Sequence, residues 1–241
     1  MSNSKSILIT GGSSGIGEAT AIMFAQNGAD IAITYKSNKA GAESVIEKAK
    51  KFGVKAIAVQ ADLINEKDAK ATVEKVVKEF GKIDVLVNNA GRYVDGDEWN
   101  GTSDIWVKSL QQNLVSMMNI SKYVIERFQK QKSGVIVSIA SVHGLSGQPD
   151  AISYAAAKAG VINITQSYAK LLAPFGRANS VSPGAANAGY WLTAPKEELD
   201  KKLASRPNHK LVEPENIAEK AVFLASDEAK DINGQNFVVN E

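Results

Sequence analysis

The chain has 241 residues, of which 44% are hydrophobic and 22% are charged, and its formal net charge is +2. This balance is too polar for a membrane protein and too apolar for a disordered chain, and it offers no basic footprint to a nucleic acid or an anionic membrane. The chain has no cysteine, which excludes disulfides, thiolate metal sites and a cysteine nucleophile and fits a reducing compartment. We expect a single cytoplasmic domain over residues 1–241, with no room for a signal peptide before the first strand.

Short apolar runs alternate along the chain with longer segments of helical periodicity. The apolar runs predict seven strands, at residues 6–10, 30–35, 54–60, 83–88, 134–139, 177–181 and 237–239. The helical segments lie at residues 15–27, 40–52, 66–80, 103–130, 153–172 and 214–226. Several runs are apolar on consecutive residues, which suits strands covered on both faces. The alternation therefore predicts an α/β fold with a doubly wound parallel sheet flanked by helices.

Two stretches of the chain show little periodicity, residues 92–102 and residues 185–211. Ligands of doubly wound sheets bind outside the carboxyl ends of the strands, where such stretches connect the elements. We therefore predict that both contact the substrate and that residues 185–211 form the main substrate loop.

A glycine-rich turn follows the first predicted strand and opens the first helix, reading Thr10-Gly11-Gly12-Ser13-Ser14-Gly15-Ile16-Gly17. Backbone donors and the helix dipole favour a pyrophosphate there, so a dinucleotide would contact Gly11, Ser13, Ser14, Gly15, Ile16 and Gly17. The spacing departs from Gly-x-Gly-x-x-Gly, and the glycines could instead be purely structural. The turn also satisfies the Gly-x-Ser-x-Gly elbow of α/β-hydrolases. Only ten residues precede it, however, which leaves no place for an oxyanion-hole loop.

Polar residues at the ends of the third and fourth strands also suit a nucleotide. Asp62, followed by Leu63, offers a hydrogen bond to an adenine edge or, equally well, a cap for the next helix. Asn88-Asn89-Ala90-Gly91 offers amides and a glycine where a ribose would lie, although asparagine pairs also occur in ordinary turns. We include Asn89, Ala90 and Gly91 in the predicted coenzyme site.

The end of the second strand bears on which coenzyme is used. A carboxylate there would hold the adenosine 2′-hydroxyl, but the chain reads Thr34-Tyr35-Lys36-Ser37 and the next acid along it is Glu43. Lys36 could pair with a 2′-phosphate and Ser37 could add a hydroxyl, with Tyr35 beside them. This favours NADP(H) and leaves NAD(H) open. A solvated surface lysine is the alternative.

Tyr154 and Lys158 are four residues apart in a predicted helix and therefore share a face. A charge about 4 Å away at an effective dielectric of about 20 contributes roughly 4 kcal/mol, so Lys158 would lower the Tyr154 pKa towards neutrality. An acid-base catalyst works best when its pKa lies near the working pH. The spacing is not specific, because Tyr35 and Lys39 share it. Ser141 ends the fifth strand and adds a third group, so that a carbonyl oxygen could lie between its hydroxyl and the phenol.

Over essentially its full length the chain resembles the short-chain dehydrogenase/reductase family. The matching residues, in family order and spacing, are Thr10-Gly11-x-x-x-Gly15-Ile16-Gly17, Asp62, Asn88-Asn89-Ala90-Gly91, Asn113, Ser141, Tyr154-x-x-x-Lys158 and Pro183-Gly184. The resemblance implies a Rossmann-type domain with a seven-stranded parallel sheet, bound NAD(P)(H), and hydride transfer between nicotinamide and a carbonyl or alcohol substrate.

The resemblance also implies roles for individual residues. Ser141 would orient the carbonyl, Tyr154 would move the proton, and Lys158 would also hold the nicotinamide ribose. Asn113 would support a water relay to that lysine, unless it simply faces solvent. Pro183 and Gly184 would join the coenzyme site. The family assembles through its fourth and fifth long helices, so a homotetramer or a dimer is implied.

Three departures from the family pattern limit what carries over. The run 185–188 lacks the family's threonine, for which Thr193 is a possible substitute. Asn240-Glu241 replace a pair of glycines at the end of the chain. Arg92 either meets an acidic substrate group or is solvated. His143 and His209 lack metal-ligand spacing, so we predict no metal, and His143 lines the substrate pocket or is an ordinary loop histidine.

Within the family, the chain most resembles the 3-oxoacyl thioester reductases of fatty-acid synthesis, followed by sugar dehydrogenases such as glucose dehydrogenase. The resemblance therefore implies a 3-oxoacyl thioester as substrate or, as the alternative, a sugar or another alcohol. Lys132 suits a basic carrier-protein contact, whereas Phe175 occupies a second place where a basic residue would be expected. A different class of function is a dinucleotide-binding sensor without turnover, against which the Ser141, Tyr154 and Lys158 set argues.

Overall fold

The computed structural model describes residues 4–240. Its centre is one sheet of seven parallel strands in the order β3-β2-β1-β4-β5-β6-β7. The strands are β1 (Ser6–Ile9), β2 (Asp30–Tyr35), β3 (Ala56–Gln60), β4 (Val85–Asn88), β5 (Gly134–Ile139), β6 (Gly176–Pro183) and β7 (Asn236–Val239). The predicted fold class is therefore confirmed. The strand order reverses between β1 and β4, which places a crevice at the carboxyl ends of these two strands.

Nine α-helices are assigned within residues 4–240. They are α1 (Gly15–Gln26), α2 (Lys39–Lys50), α3 (Glu66–Phe80), α4 (Ser103–Leu110), α5 (Ser116–Gln131), α6 (His143–Ser146), α7 (Ile152–Leu172), α8 (Lys196–Ala204) and α9 (Pro214–Ala225). Short 3-10 turns lie at Gly189–Leu192 and Asp227–Ala229. None of the helices in the described range is both long enough and apolar enough to span a bilayer.

The alternation of side chains along the strands divides the interior into two cores. Ile7 and Ile9 of β1 pack with α1, α2 and α9 on one face of the sheet. Leu8, between them, packs with α3, α5 and α7 on the other face. Because both faces are covered, β1 and β4 are buried at every position. This double burial explains the unbroken apolar runs in the sequence.

The structure corrects two predicted elements. The helix expected at 103–130 is divided into α4 and α5 by a π-helical turn, Gln111–Val115, which carries Asn113. Such single turns insert one extra residue into a helix and often lie at functional sites. The stretch expected to be irregular at 185–211 contains α8. No residue of α8 is buried, so it has no apolar stripe from which periodicity could have predicted it.

Candidate active site

The glycine-rich turn between β1 and α1 is closely packed against its own backbone. Gly11 and Gly15 have φ angles of +64° and +55°, a region that side chains disfavour. A Cβ on Gly17 would touch the Gly11 carbonyl oxygen and lie 2.6 Å from Asn89 Nδ2. That amide donates to the carbonyls of Thr10 at 2.9 Å and Gly11 at 3.0 Å. The turn is therefore a closely packed cradle that has no room for a side chain at Gly11 or Gly17.

Helix α1 begins inside this cradle. Ser14 precedes it with extended backbone, and its side chain makes no capping hydrogen bond to the described residues. The first backbone donors of α1 are therefore available to a ligand at the carboxyl edge of β1. Free donors, the helix dipole and a cradle without Cβ atoms together fit a pyrophosphate group.

The structure brings together two residues that the sequence assigned to different parts of a nucleotide. Lys36 Nζ lies 2.7 Å from Asp62 Oδ2, and the hydrogen bond from Lys36 is the main cause that lowers the Asp62 pKa below its ordinary value. Asp62 does not cap α3: its Oδ1 accepts from the Ile64 amide, whereas Asn65 caps the helix by accepting from the Lys67 amide at 3.0 Å. The helix-cap alternative for Asp62 is therefore wrong. The adenine contact stays a prediction.

The neighbours of this ion pair offer less side-chain surface to a coenzyme. Tyr35 is half-buried and its carbonyl accepts from the Ala61 amide at 2.9 Å, while Ser37 is exposed. Leu63 is buried in the core beneath β2 and β4. Its carbonyl accepts from Asn119 Nδ2 at 3.0 Å. Any contact between Leu63 and a nucleotide would therefore come from its backbone.

The segment after β4 divides its polar groups between the core and the crevice. Asn88 is buried and donates to Ser121 Oγ at 2.9 Å, so it faces α5. The Ala90 amide donates to Thr10 Oγ1 at 3.0 Å, which ties this segment to the glycine-rich turn. Gly91 follows with a φ of +153° and is exposed. Of the two asparagines, it is the second, Asn89, that lies at the predicted coenzyme site.

The three residues predicted to do the chemistry converge at the end of β5 and the start of α7. Ser141 is buried and lies close enough to Tyr154 to lower the pKa of its phenol. Lys158 is 4% exposed, and its Nζ lies 5.6 Å from the centre of the Tyr154 ring. The same Nζ donates to the Ile139 carbonyl at 2.8 Å. The side chains of α7 and the end of β5 therefore form one compact site.

The electrostatics of this site differ from the prediction. Burial raises the pKa of Tyr154 above its ordinary value, and the hydrogen bond with Ser141 offsets this only in part. Burial also lowers the pKa of Lys158, to about 8. The expected lowering of the Tyr154 pKa by Lys158 is therefore wrong for these residues by themselves. The lysine donates to Ile139 rather than to the phenol, so desolvation outweighs its charge.

Asn113 faces this site from the π-helical turn rather than facing solvent. Its Nδ2 donates to the Arg92 carbonyl at 2.9 Å and to the Ser109 carbonyl at 3.0 Å. Its Oδ1 is buried and finds no hydrogen-bond partner in the described part of the chain. A Cβ placed on Gly91 would lie 2.6 Å from that oxygen and 3.6 Å from Lys158 Nζ. A free acceptor next to the lysine suits the water relay that the family resemblance implies.

The last predicted coenzyme residues lie beside the end of the chain. Pro183 ends β6, and the Gly184 amide donates to the Val239 carbonyl at 2.9 Å. A Cβ on Gly184 would meet Asn240 Oδ1. Arg206, which is 7% exposed, donates to the side chain and the carbonyl of Asn240. Asn240 therefore joins the substrate loop to β7. Glu241 lies outside the described residues.

Aromatic rings surround the mouth of the site. The His143 ring lies 6.4 Å from the Tyr154 ring, edge to face. Tyr190 packs edge to face against Tyr93 at 5.9 Å and against Trp191 at 5.4 Å. The predicted loops 92–102 and 185–211 thus meet through aromatic side chains. The His143 ring lies beside that of Tyr154, and its contact with a substrate stays a prediction.

Two of the residues with open roles take part in ordinary loop contacts. Thr193 is exposed and its hydroxyl donates to the Tyr190 carbonyl at 3.3 Å, so its contact with a carboxamide stays a prediction. His209 Nδ1 lies 3.2 Å from the Leu203 carbonyl. Residues 4–240 contain no group of three or more His, Cys, Asp or Glu side chains that could hold a metal ion.

The sequence analysis missed Asp97, a completely buried residue of the stretch 92–102. Its carboxylate accepts hydrogen bonds from the backbone amides of Ser153 and Tyr154. A weak signal existed: the residue before α7 is Ala151, which cannot cap a helix with its side chain. The missing cap indicated that another part of the chain would supply one, without indicating which.

Comparison with known proteins agrees with this geometry. A family model described as enoyl-(acyl carrier protein) reductase matches residues 11–241. The 3-oxoacyl-[acyl-carrier-protein] reductase FabG of Staphylococcus aureus strain Mu50 is 36% identical over 241 residues, covering 100% of this chain and 98% of the relative.

Solved structures show the same likeness. An NAD+-bound xylitol dehydrogenase superposes with a TM-score of 0.91 at 30% identity, covering 98% of this chain and 97% of that one. An actinorhodin polyketide ketoreductase with NADPH gives a TM-score of 0.91 at 27% identity, covering 99% of this chain and 96% of that one. The hydrolase alternative is thereby excluded. The chain belongs to the short-chain dehydrogenase/reductase family and is an oxidoreductase that acts on CH–OH and C=O groups.

Proposed function

We propose that the protein is an NADP(H)-dependent oxidoreductase that transfers a hydride between nicotinamide and a small carbonyl or alcohol substrate. The observation that carries this proposal is the convergence of Ser141, Tyr154 and Lys158 at one end of the sheet, next to the glycine cradle. The bound coenzyme supplies or accepts the hydride. Gly11, Gly15 and Gly17 with the first turn of α1 would hold its pyrophosphate.

Each side chain has a distinct task at the reacting carbonyl. The Ser141 hydroxyl donates a hydrogen bond to the carbonyl oxygen and orients it. The Tyr154 hydroxyl then donates its proton to that oxygen as the alcohol forms. Lys158 holds the ribose end of the coenzyme, and Asn113 Oδ1 accepts a hydrogen bond from water on the route that returns the proton. Because burial raises the pKa of Tyr154, the phenol holds its proton at neutral pH and is available as the proton donor.

The test of this function compares Tyr154→Phe with a matched tyrosine. We expect Tyr154→Phe to lower kcat by about 10² to 10⁴-fold and to keep NADPH affinity, since only the proton donor is lost. Tyr123→Phe on α5 removes a hydroxyl that contacts Glu66 at the surface, and should leave kcat unchanged. The rates come from NADPH absorbance with a panel of ketones, 3-oxoacyl thioesters and quinones. NADPH binding without any turnover would support the alternative of a coenzyme sensor.

The NADP(H) preference is supported by the basic end of β2. Lys36 and Ser37 are exposed there, and the chain has no acid between Lys36 and Glu43, so the end of β2 itself offers a 2′-phosphate a cation, although that cation is paired with Asp62. Lys36 would exchange its partner Asp62 for the phosphate. We expect Lys36→Ala to raise the NADPH Kd about tenfold and to leave the NADH Kd unchanged. Lys39→Ala, which removes an exposed lysine paired with Glu43, is the control. Equal use of both coenzymes by the wild type contradicts the preference.

A 3-oxoacyl thioester is the candidate substrate that a specific observation favours. The Staphylococcus aureus relative, similar over the whole chain, is named a 3-oxoacyl-[acyl-carrier-protein] reductase. Lys132 is exposed and lies over the Phe175 ring at 5.4 Å, where it could meet an acidic carrier protein. Likeness to a xylitol dehydrogenase keeps sugars and other alcohols as the second candidate. Comparing the turnover of 3-oxoacyl thioesters with that of simple ketones and sugars distinguishes the two candidate substrate classes.

We also propose that the protein forms a homo-oligomer, a tetramer or a dimer. The outer face of α7 carries the small exposed residues Ala156 and Ala159, which permit close approach of a second helix. Light scattering after gel filtration measures the mass directly, and Ala159→Arg should convert the assembly to monomers. A monomeric wild type contradicts this proposal.

A further inference from the structure

A single carboxylate from a distant loop caps the helix that carries the reacting tyrosine. Asp97 is completely buried, between β4 and α4. Its Oδ1 accepts from the Ser153 amide at 3.0 Å and from the Ser153 hydroxyl at 2.5 Å, and its Oδ2 accepts from the Tyr154 amide at 2.7 Å. The Asp97 carbonyl accepts from the Ile152 amide at 3.0 Å. Asp97 thus accepts a hydrogen bond from the backbone amide of each of the first three residues of α7.

These contacts replace a cap that the local sequence does not supply. The first amides of a helix lack partners within it and depend on a capping group. Ala151 precedes α7 and has no hydrogen-bonding side chain, although its carbonyl accepts from Ala155 at 2.8 Å. A carboxylate at this end also interacts favourably with the helix dipole. Asp97 is therefore the group that keeps the first turn of α7 helical.

Tyr154 depends on that first turn more than the other site residues do. It is the third residue of α7, where helices fray when the cap is lost. Lys158 lies one turn deeper and is held separately by the Ile139 carbonyl. Loss of the cap would therefore displace the phenol from Ser141 and leave the lysine in place.

The same carboxylate connects to the helix that carries Asn113. The Ser109 hydroxyl of α4 donates to Asp97 Oδ2 at 3.3 Å. The Ser109 carbonyl in turn accepts from Asn113 Nδ2 at 3.0 Å. Asp97 thus fixes two elements of the site, one beginning with Tyr154 and one containing Asn113, relative to each other.

We propose that Asp97 is a positioning residue for the reaction, which holds the Tyr154 hydroxyl at the distance from Ser141 and from the substrate oxygen that proton transfer requires. The inference rests on the proposed role of Tyr154. Asp97 is completely buried and offers no surface to a ligand, so we expect its removal to act on the proton-transfer step and not on coenzyme binding.

The test uses Asp97→Asn, with Asp231→Asn as the matched control. An amide keeps one acceptor but turns an NH₂ group towards an amide or hydroxyl donor, so the cap is half lost. We expect kcat to fall by about 10 to 100-fold, as is usual for small misplacements of a reacting group. The NADPH Kd should stay within twofold. Asp231 is an exposed aspartate between α9 and β7, outside both predicted substrate-contacting stretches, and its substitution should change neither quantity.

A second readout separates positioning from a loss of stability. With Tyr154 displaced, the chemical step limits turnover, so the isotope effect on kcat with NADPH deuterated at the transferred position should rise in Asp97→Asn. A variant that is only less stable would show the wild-type isotope effect, because its folded molecules react as the wild type does. Wild-type kcat and isotope effect in folded Asp97→Asn would overturn the inference.

Ser153→Ala keeps the test decisive if Asp97→Asn does not fold. This variant removes only the hydroxyl contact at 2.5 Å and leaves the two amide contacts. We expect a two- to fivefold loss of kcat with the same rise in the isotope effect, and no change in either overturns the inference. Tyr154→Phe distinguishes this result from failure of the proposed function. If Tyr154→Phe turns over normally, the function itself is wrong, whereas if it is inactive and both other variants are normal, only the role of Asp97 is wrong.

Discussion

The two ends of the candidate active site are built in different ways. The nucleotide end, comprising the turn 10–17 and the ends of β2 and β4, is held by main chain: the Thr10 amide donates to the Val87 carbonyl and the Gly12 amide to the Thr34 carbonyl, both at 3.0 Å. The substrate end, comprising residues 92–102, α6 and residues 185–211, is held largely by buried polar side chains, of which Asp97 and Arg206 are examples. An isolated parallel bridge joins Ala186 to Val212, at the two ends of the stretch 185–211.

This difference decides how each end responds to substitution. At the nucleotide end a new Cβ meets backbone that has no freedom to move, so adding atoms is harmful. At the substrate end a deleted polar group leaves other buried groups without partners, so removing atoms is harmful. The predictions below test this contrast, in order of decreasing expected effect.

The largest expected effect concerns Lys158, which lies where the two ends meet. Burial lowers its pKa from 10.5 to about 8, so between these values the unfolded chain binds more protons than the folded one. The stability contributed by this group is therefore lowest below about pH 8 and rises as the pH increases to about 10.5, by at most roughly 3 kcal/mol. Urea unfolding of the wild type and of Lys158→Met, at pH 7 and at pH 10, measures this change in the free energy of unfolding. A difference in unfolding free energy between the two proteins that does not change with pH contradicts the prediction. Lys170→Met, which replaces an exposed lysine on the same helix, is the control.

Gly17→Ala tests the nucleotide end. Its Cβ would meet the Gly11 carbonyl and Asn89 Nδ2, and such overpacking costs about 1–3 kcal/mol. We expect NADPH affinity, measured by calorimetry, to fall about 10 to 100-fold. Gly28→Ala lies beyond the other end of α1, with φ +76° and open space around it, so it should lower stability without changing affinity. Equal affinities of the two variants would show that the cradle is not rigid.

Arg206→Met tests the substrate end. The guanidinium donates to the Lys210 carbonyl and to Asn240, and hydrogen bonds from charged groups contribute about 1.5–3 kcal/mol. We expect the free energy of unfolding to fall by about 2 kcal/mol, residues 185–211 to be cleaved faster by a protease, and the substrate KM to rise. The NADPH Kd should change less than threefold. Lys210→Met is the control, because it keeps the backbone carbonyl that accepts from Arg206. If Arg206→Met lost coenzyme affinity as well as stability, the two ends of the site would not respond independently to substitution.

The smallest expected effect is that of Tyr190→Phe. The Tyr190 hydroxyl contacts Glu198 Oε2 at 2.5 Å, and this hydrogen bond is the main cause that raises the Tyr190 pKa to about 12. The residue is exposed, so we expect stability to change by less than about 0.5 kcal/mol. The ring contacts with Tyr93 and Trp191 are kept. Tyr190→Ala removes these ring contacts, and we expect it to raise the KM for bulky ketones more than Tyr190→Phe does. Equal KM values for the two variants would show that the rings do not contact the substrate.

Local sequence signals predicted the elements in which local physics decides the structure. Helix α3 was predicted with its observed bounds from its helical periodicity, and in the structure Asn65 caps it and Gly81 ends it with a φ of +82°. The π-helical turn around Asn113 has no such local signal, because the residues on both sides of it favour a continuous helix. Helix α8 escaped prediction because none of its residues is buried.

The sequence by itself determined the sheet, the glycine cradle and the three converging residues Ser141, Tyr154 and Lys158. Periodicity and glycine spacing record constraints between near neighbours in the chain, and these survive in the sequence alone. Only the tertiary structure decided that Asp97 caps α7 from 57 residues away and that Lys36 pairs with Asp62. It also decided that burial raises the pKa of Tyr154. Desolvation and long-range hydrogen bonds depend on what surrounds a group in space, which no local pattern of residues specifies.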